Sequence, residues 1–219
     1  MHKLIVLHYI TDDPQEARRY YRDIHMPIAA RTPGLQSCRF SLAPVAPDGS
    51  TPFFCVYEAT FASGEAMAEA FKSDIAREVV ADAANFSFAG SIVQHFDFEP
   101  YPPDANTTPQ HEAKLHKVLV LHRMPQNPEE AREYYLNSHL PLAAKTPGQL
   151  WCQYSFNPVG MDRSTEFFCV YEGFFPDKEA MISGLKTGIG QQVVADAANF
   201  ADNGSIVLNY QLENYPICG

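Results

Sequence analysis

The sequence predicts an α+β fold in which one unit, ordered β-α-β-β-α-β, occurs twice. Three observations predict it. First, the chain repeats at a constant offset: His2-Lys3-Leu4-Ile5-Val6-Leu7-His8 returns as His116-Lys117-Val118-Leu119-Val120-Leu121-His122, and Val79 to Phe86 returns letter for letter as Val193 to Phe200. Second, apolar runs with strand character alternate with helix-start signals inside each copy. Third, 46% of the residues are hydrophobic, enough for a packed core.

Each element of the first copy can be justified in order. Residues 3–10 are apolar and β-branched and form the first strand. Thr11-Asp12-Asp13-Pro14 is a helix start, with Pro near the first helical position. Ala17, Tyr20, Tyr21, Ile24 and Ile28 then fall on one helical face. Pro27 has no N–H to give the carbonyl of Asp23, so this helix is disturbed there. Pro33-Gly34 ends it. Residues 36–43 and 53–61 read as a strand pair. Ser63 to Lys72 is a helix with Ser63 as cap, Ile75 to Ala84 a short further helix, and Ser91 to Phe98 the last strand. This order is the ferredoxin-like unit, an antiparallel sheet with helices on one face. The expected organisation is residues 1–101 for the first repeat, a Pro-, Asn-, Thr- and Asp-rich linker at 102–113, and 114–219 for the second.

A sheet covered on one face should alternate apolar and polar residues. Leu4 to Leu7 and Phe53 to Tyr57 are instead apolar on both parities. Exposing them would forfeit roughly 1.5–3 kcal/mol each. The expectation is that the two sheets pack face to face into one eight-stranded barrel within the chain, a size that can be filled or can hold one small ligand. Such a chain is a monomer containing a pseudo-dimer, or a homodimer of such chains.

Sixteen Lys and Arg against twenty-six Asp and Glu give a formal charge of −10, which argues against nucleic-acid and anionic-membrane partners. No apolar run spans a membrane and the N-terminus lacks signal-peptide character, so a cytoplasmic protein is expected. Cys38 and Cys55, their counterparts Cys152 and Cys169, and Cys218 in the tail read as reduced thiols, most of them buried. No zinc spacing appears.

The motifs resemble a known family. YYRDIHMPIAARTPG at 20–34 and ADAANF at 81–86 resemble the two signatures of the EthD family, and the second copy carries YYLNSHLPLAAKTPG and ADAANF. The resemblance implies the dimeric α/β barrel superfamily and an association with oxidoreductases, whose relatives include monooxygenases, cyclases, decarboxylases, dehydratases and haem-degrading enzymes. Fold constrains chemistry poorly here, and no catalytic assignment carries over.

Candidate residues come from the chain itself. His25 and His139 can serve as general bases or as structural histidines satisfying the disturbed helix. On the last strand, Ile92, Gln94, Phe96 and Phe98 are expected toward the helices. Val93, His95 and Asp97 then point to the interior, with Asp97 orienting His95. The second copy has Asn209 and Gln211 there. Tyr57 and Tyr171 can donate to a developing oxyanion or pack with a satisfied hydroxyl. Glu58 and Glu172 point away from them, to solvent or a salt bridge. His8 and His122 are buried packing residues or ligands of haem or a metal; His2 and His116 are expected exposed. Tyr20 and Tyr134 read as packing, and Asp82, Asn85, Asp196 and Asn199 as turn and cap chemistry. The functional expectation is a cofactor-independent enzyme, of oxidoreductase or lyase/cyclase type, acting on a small hydrophobic molecule. A carrier and a haem-binding barrel are the alternatives.

Overall fold

The computed structural model describes residues 1–103, 115–164 and 166–217. Most of the 102–113 linker and Cys218 lie outside the described residues. The chain divides into two compact units, Met1–Phe98 with Leu212–Gly219, and Glu99–Gln211.

In the first unit, β1 (His2–Tyr9) runs antiparallel to β3 (Phe53–Phe61) on one side and β4 (Ser91–Asp97) on the other, and β2 (Ser37–Ser41) flanks β3. The helices are α1 (Pro14–Tyr20), α2 (Met26–Ala29), α3 (Gly64–Ala70) and α4 (Asp74–Asp82). Asp13 caps α1 by accepting from the Glu16 amide, and Ser63 and Ser73 cap α3 and α4 by accepting from Ala66 and Ala76. Each such cap is worth about 1 kcal/mol. The second unit repeats this design with β6 (His116–Arg123), β7 (Trp151–Phe156), β8 (Phe167–Phe175) and β9 (Ser205–Gln211).

Among the described residues the strands number ten rather than eight, in two five-stranded sheets. The extra strands arise because the chain does not stop at the last strand of either repeat. Past Phe98 it continues as β5 (Glu99–Tyr101), which pairs with β7 in the second unit; past Leu212 it continues as β10 (Glu213–Asn214), which pairs with β2 in the first.

The helix-side core of the first unit joins Leu4, Cys38, Phe40, Cys55, Tyr57, Ala59 and Phe61 of the sheet to Ala17, Tyr21, Met26, Met67 and Phe86. Val93 packs against the same cluster. This corrects the expected facing of β4. Register pairs Val93 with Val6 and His95 with Leu4, so Val93, His95 and Asp97 lie on the helix side. Gln94 and Phe96 share the opposite face with Lys3, Ile5 and Glu58, all buried. Apolarity could not assign the faces, because both are buried.

On that opposite face Glu58 lies 3.7 Å from Lys3 Nζ and 3.5 Å from Arg39. In the second unit Lys117 Nζ stands 2.8 Å from Glu172. The salt-bridge reading of the two glutamates is therefore right and the solvent reading is not.

Candidate functional site

Residues Tyr21–His25 form a π-helical turn between α1 and α2, closed where Met26 N–H donates to the Tyr21 carbonyl. The physical cause is the expected one, since Pro27 cannot close the next α-helical bond. The extra residue also rotates the apolar face. Tyr21, His25 and Met26 turn inward, whereas Ile24, expected inside, is 46% exposed. Such single π turns recur at functional sites.

The turn delivers His25 to the end of α4. His25 Nδ1 lies 2.8 Å from Asp82 Oδ2, and the other carboxylate oxygen accepts from Tyr20 Oη at 2.7 Å and Asn85 Nδ2 at 3.1 Å. In the second unit His139 Nδ1 lies 2.9 Å from Asp196 Oδ2, and Asp196 Oδ1 accepts from Tyr134 Oη at 2.7 Å and Asn199 Nδ2 at 2.9 Å. Asp82, Asp196, Tyr20 and Tyr134 were read as cap and packing residues. The signal that could have found them was the letter-for-letter return of ADAANF, more identity than a helix cap requires.

Electrostatics favour a neutral imidazole against an ionised carboxylate. Burial lowers the proton affinity of His25, and Asp82 opposes this only partly. Burial works against the charge on Asp82, but hydrogen bonds from Tyr20, His25 and Asn85 outweigh it and hold the carboxyl below its usual range. His25 then carries its proton on Nδ1, donated to Asp82, and Nε2 is the accepting nitrogen. Beside it, the ring of His8 packs edge-on to Phe86 at 5.1 Å, and its Nδ1 meets Ser87 Oγ at 3.1 Å. Burial and the neighbouring His25 push His8 down to about 3. His8 and its counterpart His122 are thus packed, neutral core histidines.

A cleft of about 520 Å³ opens on the Tyr20–Asn85 side of the carboxylate. Its apolar wall is Ile10, Ala17, Phe86 and Phe88, and Asp12, Asp13 and Glu16 stand around it. A concave apolar site with a few convergent polar groups is the usual form of a small-molecule site.

The remaining candidates lie elsewhere. Tyr57 is buried in the helix-side core with the Cys38 thiol 3.6 Å from its hydroxyl, and Tyr171 donates to Gln149 at 2.8 Å. Burial raises both phenols well above their ordinary range. His95 and Asp97 do not pair with each other. Asp97 bonds His2 Nδ1 at 3.0 Å, and His2 Nε2 meets His95 Nδ1 at 2.9 Å. His2, expected to be exposed, is 6% exposed, and His116 is likewise buried. His2 lies six residues along β1 from His8, roughly 20 Å at strand rise, so this group is separate from the His25 site. Among the described residues no set of three or more His, Cys, Asp or Glu side chains is placed to hold a metal ion, and no helix is long and apolar enough to cross a membrane.

The EthD domain family model matches residues 12–88 and 123–204. The chain therefore belongs to the EthD family, as a tandem of two such domains. An EthD family protein from Bacillus halodurans is 23% identical over 44% of this chain and 96% of its own, with a TM-score of 0.42. An anthrone oxidase-like protein is 13% identical over 99% of this chain and 95% of its own, with a TM-score of 0.67. That second likeness shows the fold, which is of the ferredoxin-like, dimeric α/β-barrel class. No curated relative matches the sequence.

Proposed function

We propose that the protein is a cofactor-independent enzyme that binds a small apolar or aromatic molecule in the cleft of the first unit and moves a proton with His25. The observation that carries this reading is the Tyr20–Asp82–His25 network, built on a π turn: Tyr20 and Asn85 line the cleft and bond Asp82, and Asp82 and His25 lie behind them, outside the lining. Asp82 fixes the ring and tautomer of His25, and Tyr20 and Asn85 hold Asp82 from the cleft side. An imidazole so held takes a proton from a carbon or oxygen acid and returns it to a leaving group, the step shared by lyase and cyclase chemistry and by cofactor-free oxidations of electron-rich aromatics.

The family membership and an anthrone oxidase-like neighbour are consistent with an aromatic substrate. The test is a thermal-shift screen of aromatic and ether-derived compounds, followed by turnover assays with any ligand found. His25→Ala is expected to lower kcat/KM by about 10²–10⁴-fold, with affinity little changed. Binding without turnover in the wild-type protein would instead identify a carrier.

A further inference from the structure

We propose that His2 and His95 form an acid-sensitive latch, which holds the end of β4 to β1 while one hydrogen lies between their facing nitrogens and releases it when both rings are charged. β4 is the edge strand of its sheet, with β1 beside it. Register sets His2 opposite Asp97 and Leu4 opposite His95. Two side-chain bonds at this end meet on the His2 ring: Nδ1 lies 3.0 Å from Asp97 Oδ1, and Nε2 lies 2.9 Å from His95 Nδ1. The end of an edge strand frays easily, so these bonds matter most where they stand.

A bond between two ring nitrogens needs one donor and one acceptor. A neutral pair supplies both, and so does a pair with a single charge. With both rings charged, every ring nitrogen carries a hydrogen, and two N–H groups face each other across the same short gap. The bond then becomes a repulsion. His2 has little freedom to turn away: its ring is buried, Asp97 holds Nδ1, and a Cβ on Gly64 of α3 would sit 3.3 Å from His2 Cε1. His95 is only half-buried, so it is the ring that yields. The charged groups facing the pair are Asp97 from β4 and Glu65 from α3; β3 presents Phe61 and Ala59, opposite His2 and Leu4. The two carboxylates favour the first proton. The second is resisted, since burial and then the neighbouring His2 lower the proton affinity of His95, with Asp97 acting against them.

The second unit is an internal control. His116 stands in place of His2, but Asn209 replaces His95, and its Oδ1 lies 3.1 Å from His116 Nε2. An amide oxygen accepts from a charged ring, so acid preserves this contact. The latch also sits at a particular place in the chain. Asp97 ends β4, and Glu99 begins β5, which belongs to the second unit. Acid thus loosens the strand from which the connecting segment departs.

The experiment measures amide hydrogen exchange of the full chain, corrected for intrinsic rates, from about pH 7.5 down to about pH 4.5. Protection at residues 93–97 should fall by about tenfold or more relative to the matching residues 207–211. His95→Asn, which copies the second unit, should hold that relative fall under about twofold. Circular dichroism checks that the variant is folded. If it is not, histidine-ring NMR of the wild type decides: the contact between the His2 and His95 rings should disappear over the same pH interval. An equal fall in both units of the wild type, a relative fall that persists in folded His95→Asn, or a ring contact that survives at the acid end would overturn the proposal.

Discussion

The two units hold the same polar network in different surroundings. The His–Asp distance is 2.8 Å in one and 2.9 Å in the other, and the Tyr–Asp distance is 2.7 Å in both. Around the first network stand Ile10, Asp12, Asp13, Phe88 and Ala89; the matching positions of the second are Met124, Gln126, Asn127, Asp202 and Asn203. In the second unit the loop is tied across this place. Asp202 accepts from the Gln126 amide at 3.3 Å, and Asn203 Nδ2 donates to the Met124 carbonyl at 2.7 Å. The two copies thus retain the means of holding a histidine and diverge in the approach to it. A duplicated chain can keep one framework in both halves while varying the loops that border it.

The sharpest way to break this comparison is to disarm each histidine in turn. His25→Ala should cost about 10²–10⁴-fold in kcat/KM, and His139→Ala should leave turnover within a few-fold. Equal losses would mean that both units work. The His25 profile has a defined sign: with the imidazole required neutral and its proton affinity lowered by burial, activity rises with pH through an apparent pKa below the ordinary 6.5 and then stays level.

Next in size are the buried cations. Lys117 has the shorter contact, 2.8 Å to Glu172, against 3.7 Å from Lys3 to Glu58. Lys117→Met should destabilise the protein by about 3–5 kcal/mol, since it removes the cation facing a buried carboxylate, to which Gln153 still donates. Lys3→Met should cost less, because Arg39 still faces Glu58. Urea denaturation of the two variants measures the difference.

The histidines His8 and His122 should behave alike, which makes them a check on the symmetry of the framework. Each is held at about 3 in the folded chain, chiefly by burial. The unfolded chain binds their protons more readily, so their contribution is fully present above pH 6.5 and is lost as pH falls toward about 3. The slope is about 1.4 kcal/mol per pH unit for each histidine. His8→Asn and His122→Asn should each flatten the acid limb of stability measured against pH.

The smallest effect expected is that of Asn203→Ala, under about 1 kcal/mol in stability. It removes one tie across the second unit, and a ligand found for the first cleft should then saturate at a higher stoichiometry. A stoichiometry that stays at one would show that this tie is not what separates the halves.

Much of the fold was legible in the sequence because it rests on local rules. The caps Asp13 and Ser63, the strand over 53–61 and the helix broken at Pro27 follow from residue type and spacing. What was not legible depends on phase and on distant partners. Ile24 was misplaced because a π turn inserts a residue into the helical period. The faces of β4 were reversed because both bury apolar side chains, so only register decides. At the site, His25 and His139 stood out as histidines on an apolar helix face. Asp82 did not, because a carboxylate 57 residues away gives no periodic signal.

The exchanged edge strands have a consequence for how this gene can be divided. A half-length product ending after β4 would keep β1 to β4 but lack the segment that hydrogen-bonds the free side of β2. Bare backbone along such a margin recruits whatever strand it meets. Two identical halves could supply that strand to each other by reciprocal swapping, an arrangement that a single-domain ancestor could have used before fusion joined its two subunits.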